Sequence, residues 1–171
     1  MILIGDALKK ALALGFIHID PFDDTAIGPG SIDLTLGNDF RIFKLFQRAY
    51  HIKGDSHFED VTKEVHVPDG KSIVIRPGKM ILGITREKIT LSHSIAGFLE
   101  GRSRFARFGL AVHVTAGFMQ PGIANQQVLE MVNLGNAPLA IYPRTKICQM
   151  VFVRCEGRAR YTGRFASQEK P

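Results

Sequence analysis

The sequence predicts a mainly β domain, a sandwich or barrel preceded by one short N-terminal helix. Three observations predict it: short runs of β-type residues recur, Gly, Pro, Asn and Asp punctuate them, and only one stretch carries helical spacing. That stretch is Asp6–Leu14, where Ala7, Leu8, Ala11 and Leu12 share a face and Gly15 supplies a stop. The strands expected after it are Ile32–Leu36, Phe40–Phe46, Ser72–Ile75, Met80–Thr85, Ile95–Leu99, Leu110–Val114, Gln127–Val132, Leu139–Ile141 and Lys146–Val153. Turn signals separate them at Gly28-Pro29-Gly30, Pro68-Asp69-Gly70, Pro77-Gly78, Pro121-Gly122 and Gly135-Asn136. The last stretch, Arg154–Pro171, differs in kind. Four arginines and a lysine stand there against two glutamates, with few apolar residues, so it reads as a mobile basic tail.

At 171 residues and 18.9 kDa the chain has the size of one domain, and no repeat, low-complexity tract or linker divides residues 1–171. A composition of 45% hydrophobic and 22% charged residues excludes wholesale disorder, a collagen-like fibre and a coiled coil. The net charge of +6 invites an anionic partner, whether nucleotide, nucleic acid or membrane surface, without choosing among them. Two cysteines, Cys148 and Cys155, cannot build a disulfide framework, and a reducing compartment, the cytoplasm, is expected. Lys9-Lys10 followed by Ala11–Ile19 imitates a signal peptide, but Asp6 and Asp20 flank it and no small-residue cleavage site follows. The uncharged run Phe108–Leu129 carries His113, Gln120, Pro121 and Asn125, which lipid does not tolerate, so a soluble protein with no membrane partner is expected.

Common chemistries fail on spacing. His57-Phe58-Glu59 fits the first half of the zinc deaminase signature, but Cys148 and Cys155 lie seven apart and would point to opposite faces of one strand. No zinc site, structural or catalytic, is expected. Glycine-rich phosphate loops and the serine-hydrolase elbow are absent.

Three segments remain. In Glu100–Gly109, Arg102, Arg104 and Arg107 crowd together, an arrangement suited to phosphate oxygens or else to a solvated basic turn. One helical turn there would put Ser103 and Arg107 on one face, with backbone N–H groups open at its start. In the strand through Gln127–Asn133, Glu130 shares a face with Val128 and Val132 while Leu129 and Met131 take the other. A carboxylate among apolar neighbours tends to a raised pKa suited to proton shuttling, unless it forms a structural ion pair with an arginine. In Val112–Gly122, Gly117 and Pro121-Gly122 bend the backbone and Ala116 leaves main-chain amides open to a planar ligand, while His113 suits a core position.

Taken together, these segments resemble the dCTP deaminase branch of the superfamily shared with trimeric dUTPases. The resemblance rests on Ser31-Ile32-Asp33-Leu34-Thr35-Leu36-Gly37, on Gly101-Arg102-Ser103-x-x-Ala106-Arg107-x-Gly109-Leu110, and on His113-Val114-Thr115-Ala116 running into Pro121-Gly122. Val128-Leu129-Glu130 and Tyr161-x-x-Arg164-x-x-x-Gln168 complete it, the latter with Arg where Lys is usual. It implies a distorted β-barrel or jelly-roll-like fold, a homotrimer with sites at subunit interfaces, and hydrolytic deamination of dCTP to dUTP and ammonia. Magnesium rides on the triphosphate, zinc is not used, and residues 154–171 close over the nucleotide.

Carried over by position, Glu130 is the general base and Arg107 stabilises the charged intermediate and orients that carboxylate. Ser103 and the Ala116 backbone hold the water. Arg102, Ser103, Arg104, Tyr161, Arg164 and Gln168 face the triphosphate, with Phe105 and Ala106 in the same turn. Val128, Leu129 and Gln149 belong to the nucleoside pocket, and Gln120 to the deoxyribose contact. Gln120 stands where Asp is common, and Gln cannot act as a base, which disfavours phosphate hydrolysis. The alternatives are a dUTP diphosphatase or bifunctional enzyme, and a non-catalytic trimer sensing nucleotides, since His113-Val114-Thr115 resembles the segment through which relatives answer to dTTP as a feedback inhibitor. A single-strand nucleic-acid binder would need exposed aromatics among its basic residues, and only Phe105 and Phe108 qualify.

Overall fold

A computed structural model describes residues 1–171. Helix α1 (Gly5–Ala13) comes first, one residue earlier at each end than its spacing predicts. It buries Leu8 and Ala11, places Asp6 in its first turn and Lys10 in its last, each opposing the local end of the helix dipole, and meets Gly15 at φ +70°. Strands β1 (Ile17–Asp20), β2 (Ile32–Thr35), β3 (Asp39–Phe43), β4 (Thr62–His66), β5 (Ile73–Ile75) and β6 (Met80–Leu91) follow. After them come β7 (Ile95–Gly101), the single turn α2 (Ser103–Ala106), β8 (Leu110–Val112), β9 (Phe118–Met119), β10 (Ala124–Asn133), β11 (Leu139–Ile141) and β12 (Lys146–Arg154).

Every expected strand exists, and three more appear. β4 escaped notice because its Lys63 and Glu64 face solvent on the hairpin with β3, and β9 is only two residues long. β1 does alternate, with Ile17 and Ile19 inward and His18 and Asp20 outward, but it is short. β8 stops at Val112 rather than Val114, because His113 takes φ +64° and turns the chain out of the strand.

All pairings are antiparallel. One sheet runs β4-β3-β6-β10-β8 with β1 also on β6, a second runs β2-β12-β7-β9, and β5 pairs β11. The architecture is the mainly β one the sequence predicts, with two packed sheets instead of a closed barrel. Inward side chains of both larger sheets meet in one core, Phe40, Ile89, Leu129 and Met131 from the first and Leu34, Ile147, Met150 and Phe152 from the second. Fully burying each such side chain stabilises by about 1.5–3 kcal/mol.

Two local features shape the surroundings of β10. Its register with β6 jumps between Gln126↔Lys88 and Val128↔Ile84, so Thr85–Glu87 bulge out of β6. Gly109, at φ +84°, lets the chain after α2 touch the end of β10. Its carbonyl accepts from Leu134 N–H at 2.7 Å, and a Cβ there would lie 2.5 Å from Gly135 N.

The basic tail is not free, as its composition led us to expect. Tyr161 N–H donates to Pro121, Ala124 N–H to Ala166 and Gln126 N–H to Gln168, so the tail runs along the edge of β10 that β8 leaves open. Backbone hydrogen bonding outweighed composition: an open strand edge offers partners to any extended segment within reach.

Candidate active site

Glu130 lies on β10, and alternation along that strand sends Leu129 and Met131 into the core and Val128 and Glu130 to the other face. There it borders a cavity of about 380 Å3, a size that suits a nucleoside. Ala116, Gln120 and Val128 share this wall, and Tyr161, Phe165 and Gln168 of the tail form another. Glu130 is the only acidic side chain lining it. A wider depression of about 970 Å3 lies between α1 and β1, but the residues singled out by sequence are not there.

The carboxylate is held by its neighbours on the 113–115 turn. Val114 N–H donates to it at 3.2 Å, Thr115 N–H at 2.7 Å, and the Thr115 hydroxyl reaches both oxygens at 2.7 and 2.8 Å. Burial pushes the Glu130 pKa up, but the Thr115 hydroxyl and N–H, the charge of His113 and the Val114 N–H together outweigh it, leaving the carboxyl below its ordinary range. The upward pull of the apolar surroundings is present but outweighed, and by the Thr115 contacts rather than by Arg107. Glu130 is an ionised acceptor at neutral pH.

Beside it, the backbone is open. Gln126 N–H is taken by the tail and Glu130 C=O accepts from His113 N–H at 3.0 Å, both on the edge of β10 away from β6. Val128, lying between them on the same edge, turns its N–H and C=O toward the cavity. A donor and an acceptor one residue apart from a carboxylate can read the hydrogen-bonding edge of a planar base. Leu129, by contrast, is fully buried, so its side chain contributes packing and it does not line the cavity.

The second group of predicted residues lies elsewhere on the chain. Arg102 extends from the end of β7 and pairs with Asp33 on β2 at 2.9 Å, while its Nη1 donates to the Lys146 carbonyl at 2.8 Å. Arg104 stacks over Phe105, 5.5 Å from the ring centre, and Ser103, Ala106 and Arg107 are exposed. The helical turn expected around Ser103 is present, with the N–H groups of Phe105 and Ala106 donating to the Arg102 carbonyl. Gln149 supports this turn: it accepts from Ser31 Oγ at 2.8 Å and donates to the Gly101 carbonyl at 3.1 Å. None of these side chains lines the Glu130 cavity of the same chain. Arg164 reaches His57 Nδ1 at 3.0 Å, outside the cavity as well.

The sequence reading missed Phe118, Met119, Asn125, Gln127 and Phe165, all of which line the cavity. A signal existed for two of them. Asn125 and Gln127 fall on the core-facing parity of β10, where alternation calls for apolar residues. No three His, Cys, Asp or Glu side chains converge as a metal ion requires, and no helix is long and apolar enough to cross a membrane.

This arrangement of sheets is found in solved nucleotide enzymes. It is similar to 2′-deoxycytidine 5′-triphosphate deaminase from Agrobacterium tumefaciens, with a TM-score of 0.67 and 18% identity over 88% of this chain and 47% of that one. It is similar also to a dUTPase of phage phi11 of S. aureus, with a TM-score of 0.51 and 10% identity over 86% of this chain and 96% of that one. Fold and cavity thus define a member of the dUTPase-like fold class. Residues 2–155 match the dCTP deaminase-like family, and the chain belongs to that family, as a dCTP deaminase enzyme. Among sequence relatives, one from Mycolicibacterium vanbaalenii is 37% identical over 161 residues, 94% of this chain and 84% of its own length. Another, from Mycobacterium tuberculosis H37Rv, is 40% identical over 154 residues, 90% of this chain and 80% of its own. Both are named dCTP deaminase, dUMP-forming.

Proposed function

We propose that the chain hydrolyses the C4 amine of dCTP, presented as its magnesium complex, to give dUTP and ammonia, and that it works as a homotrimer. The observation that carries this reading is the single ionised side-chain carboxylate, Glu130, beside the open Val128 backbone in a cavity of nucleoside size. Water adds across the C4–N3 bond, one proton passing through Glu130 to N3; the proton of the new C4 hydroxyl then passes to the amino nitrogen, the C4–N bond breaks, ammonia leaves and a C4 carbonyl forms. A carboxylate below its ordinary pKa suits the first of these transfers, since it stands ready to accept. The Val114 and Thr115 N–H groups and the Thr115 hydroxyl are three donors to a group with about four acceptor sites, which leaves one for water, and dTTP acting through residues 113–115 would reach the carboxylate through these contacts.

Arg102, Arg104 and Arg107 stand apart from the cavity of their own chain, and in a trimer they would serve the triphosphate in a neighbour's cavity, with Ser103 and the Ala116 backbone on the water and Tyr161, Arg164 and Gln168 closing from the tail. Magnesium belongs to the substrate in this reading, and Asp33, the carboxylate that Arg102 reaches, is already paired with it. The names of the two mycobacterial relatives favour a second reading, in which dUMP is the product. Against it stands Gln120, an amide with no capacity to activate water on the phosphate chain, in a cavity with no acidic side chain besides Glu130.

Purified protein with dCTP and magnesium, zinc chelated, decides between them. Ammonia and dUTP support the first reading, dUMP and pyrophosphate the second, and neither product would sink both. Glu130→Gln is expected to abolish ammonia release while dCTP affinity stays within roughly tenfold, about 1.4 kcal/mol. Near-normal turnover in that variant removes Glu130 from the mechanism.

A further inference from the structure

Strand β6 leaves its regular course just behind the cavity wall. Between the pairs Ile84↔Val128 and Lys88↔Gln126, its residues Thr85, Arg86 and Glu87 stand against Gln127 of β10 alone. A bulge of this kind takes ladder groups away from their usual partners. Side chains replace those partners here. Gln127 N–H donates to Thr85 Oγ1 at 2.9 Å, and the Thr85 hydroxyl donates in turn to the Glu87 carbonyl at 2.8 Å. Gln126 Nε2 donates to the Thr85 carbonyl at 2.8 Å and to the Arg86 carbonyl at 3.2 Å. Thr85 is fully buried, so water cannot stand in for its hydroxyl.

The other edge of the bulge is pinned by residues 35–37. Thr35 N–H donates to the Glu87 carboxylate at 2.9 Å, Gly37 N–H donates to the Ile84 carbonyl at 2.7 Å, and Leu36 bridges Thr85. Held on both edges, the bulge fixes the register of β10. A slip of one residue would send Val128 and Glu130 into the core and Leu129 into the cavity.

Gln127 N–H and Val128 N–H belong to successive peptide units, the first turned toward β6 and the second toward the cavity. Whatever fixes the first therefore aims the second. Without the Thr85 hydroxyl, Gln127 N–H is a buried donor with no acceptor, and turning that peptide to relieve it turns Val128 as well. We propose that Thr85 and Gln126 are positioning residues for base recognition. Through the bulge they hold the Gln127 peptide so that the Val128 N–H and C=O meet the hydrogen-bonding edge of the pyrimidine. Neither side chain lines the cavity itself. This rests on the Val128 backbone reading the base, but not on the chemistry performed there.

Equilibrium binding to the full chain tests it, with dCTP and 1,2-dideoxyribose 5-triphosphate as probes. The second keeps the sugar and phosphates and lacks the base, so the ratio of the two dissociation constants measures what the base contributes. The wild type is expected to show a ratio of roughly a hundred, two hydrogen bonds at about tenfold each. Thr85→Val, which keeps the shape of the side chain, should cut that ratio about tenfold by weakening dCTP alone. Thr85→Ser, which keeps the hydroxyl, should restore it, and Gln126→Met should lower it. An unchanged ratio in Thr85→Val, equal losses for both ligands, or no rescue by serine overturns the proposal. If Thr85→Val unfolds, Gln126→Met decides alone, and an unchanged ratio there refutes the positioning role. A wild type that binds both probes alike sinks base reading by Val128 and this proposal with it. Failure of the wild type to release ammonia from dCTP would refute the deaminase reading alone and leave these ratios standing.

Discussion

Thr115 holds the Glu130 carboxylate through its hydroxyl and its N–H, and replacing it by valine removes the hydroxyl while keeping shape and backbone. Burial pushes the Glu130 pKa up and the Thr115 hydroxyl is the largest influence pulling it down, so without that hydroxyl the pKa must rise. A hydrogen bond to a charged group contributes about 1.5–3 kcal/mol. Solvent reaches this half-buried carboxylate and screens the interaction, so about 1 kcal/mol is the fair expectation, or roughly 0.7 pH unit. The sign is set by the depressed pKa: the ionised base is fully present above it and is lost as pH falls through it. The acid limb of kcat/KM, which reports the free enzyme, should therefore move to higher pH in Thr115→Val, measured by ammonia release from dCTP between pH 4 and 8. The same variant frees one lone pair for water, so kcat on the neutral plateau should not fall. A limb that stays put, or moves to lower pH, would refute the account of how Glu130 is kept ionised.

Two further changes probe the scaffold around this centre. Gly109→Ala forces a side chain at φ +84° into the Gly135 backbone, a cost of about 3 kcal/mol, and should lower Tm by roughly 6–12 °C in a thermal melt. Arg102→Met leaves Asp33 without its partner in a part-buried position. Urea unfolding should show a loss of about 2 kcal/mol, and calorimetry a weaker grip on dCTP than on deoxycytidine by comparison with wild type.

Much of this protein could be read locally. Alternation along β10 already separated Glu130 from Leu129 and Met131, apolar spacing marked α1, and three arginines in one short stretch marked the turn at α2. Spacing from Tyr161 to Gln168 marked the tail, and two of its three singled-out residues line the cavity. Such features need only a residue and its near neighbours, because the periods of helix and strand act over a few positions.

Tertiary structure decided the rest. The positive φ of His113 swings Thr115 onto Glu130 and reverses its pKa shift, and Asp33, far along the chain, claims the guanidinium of Arg102. An edge of β10 left open by β8 receives the tail, and that docking turns two misplaced-looking amides, Asn125 and Gln127, into a directed pair. Each of these is a partnership between segments that only folding brings together. No local pattern encodes it, since a hydrogen bond or ion pair depends on where its second group lies in space.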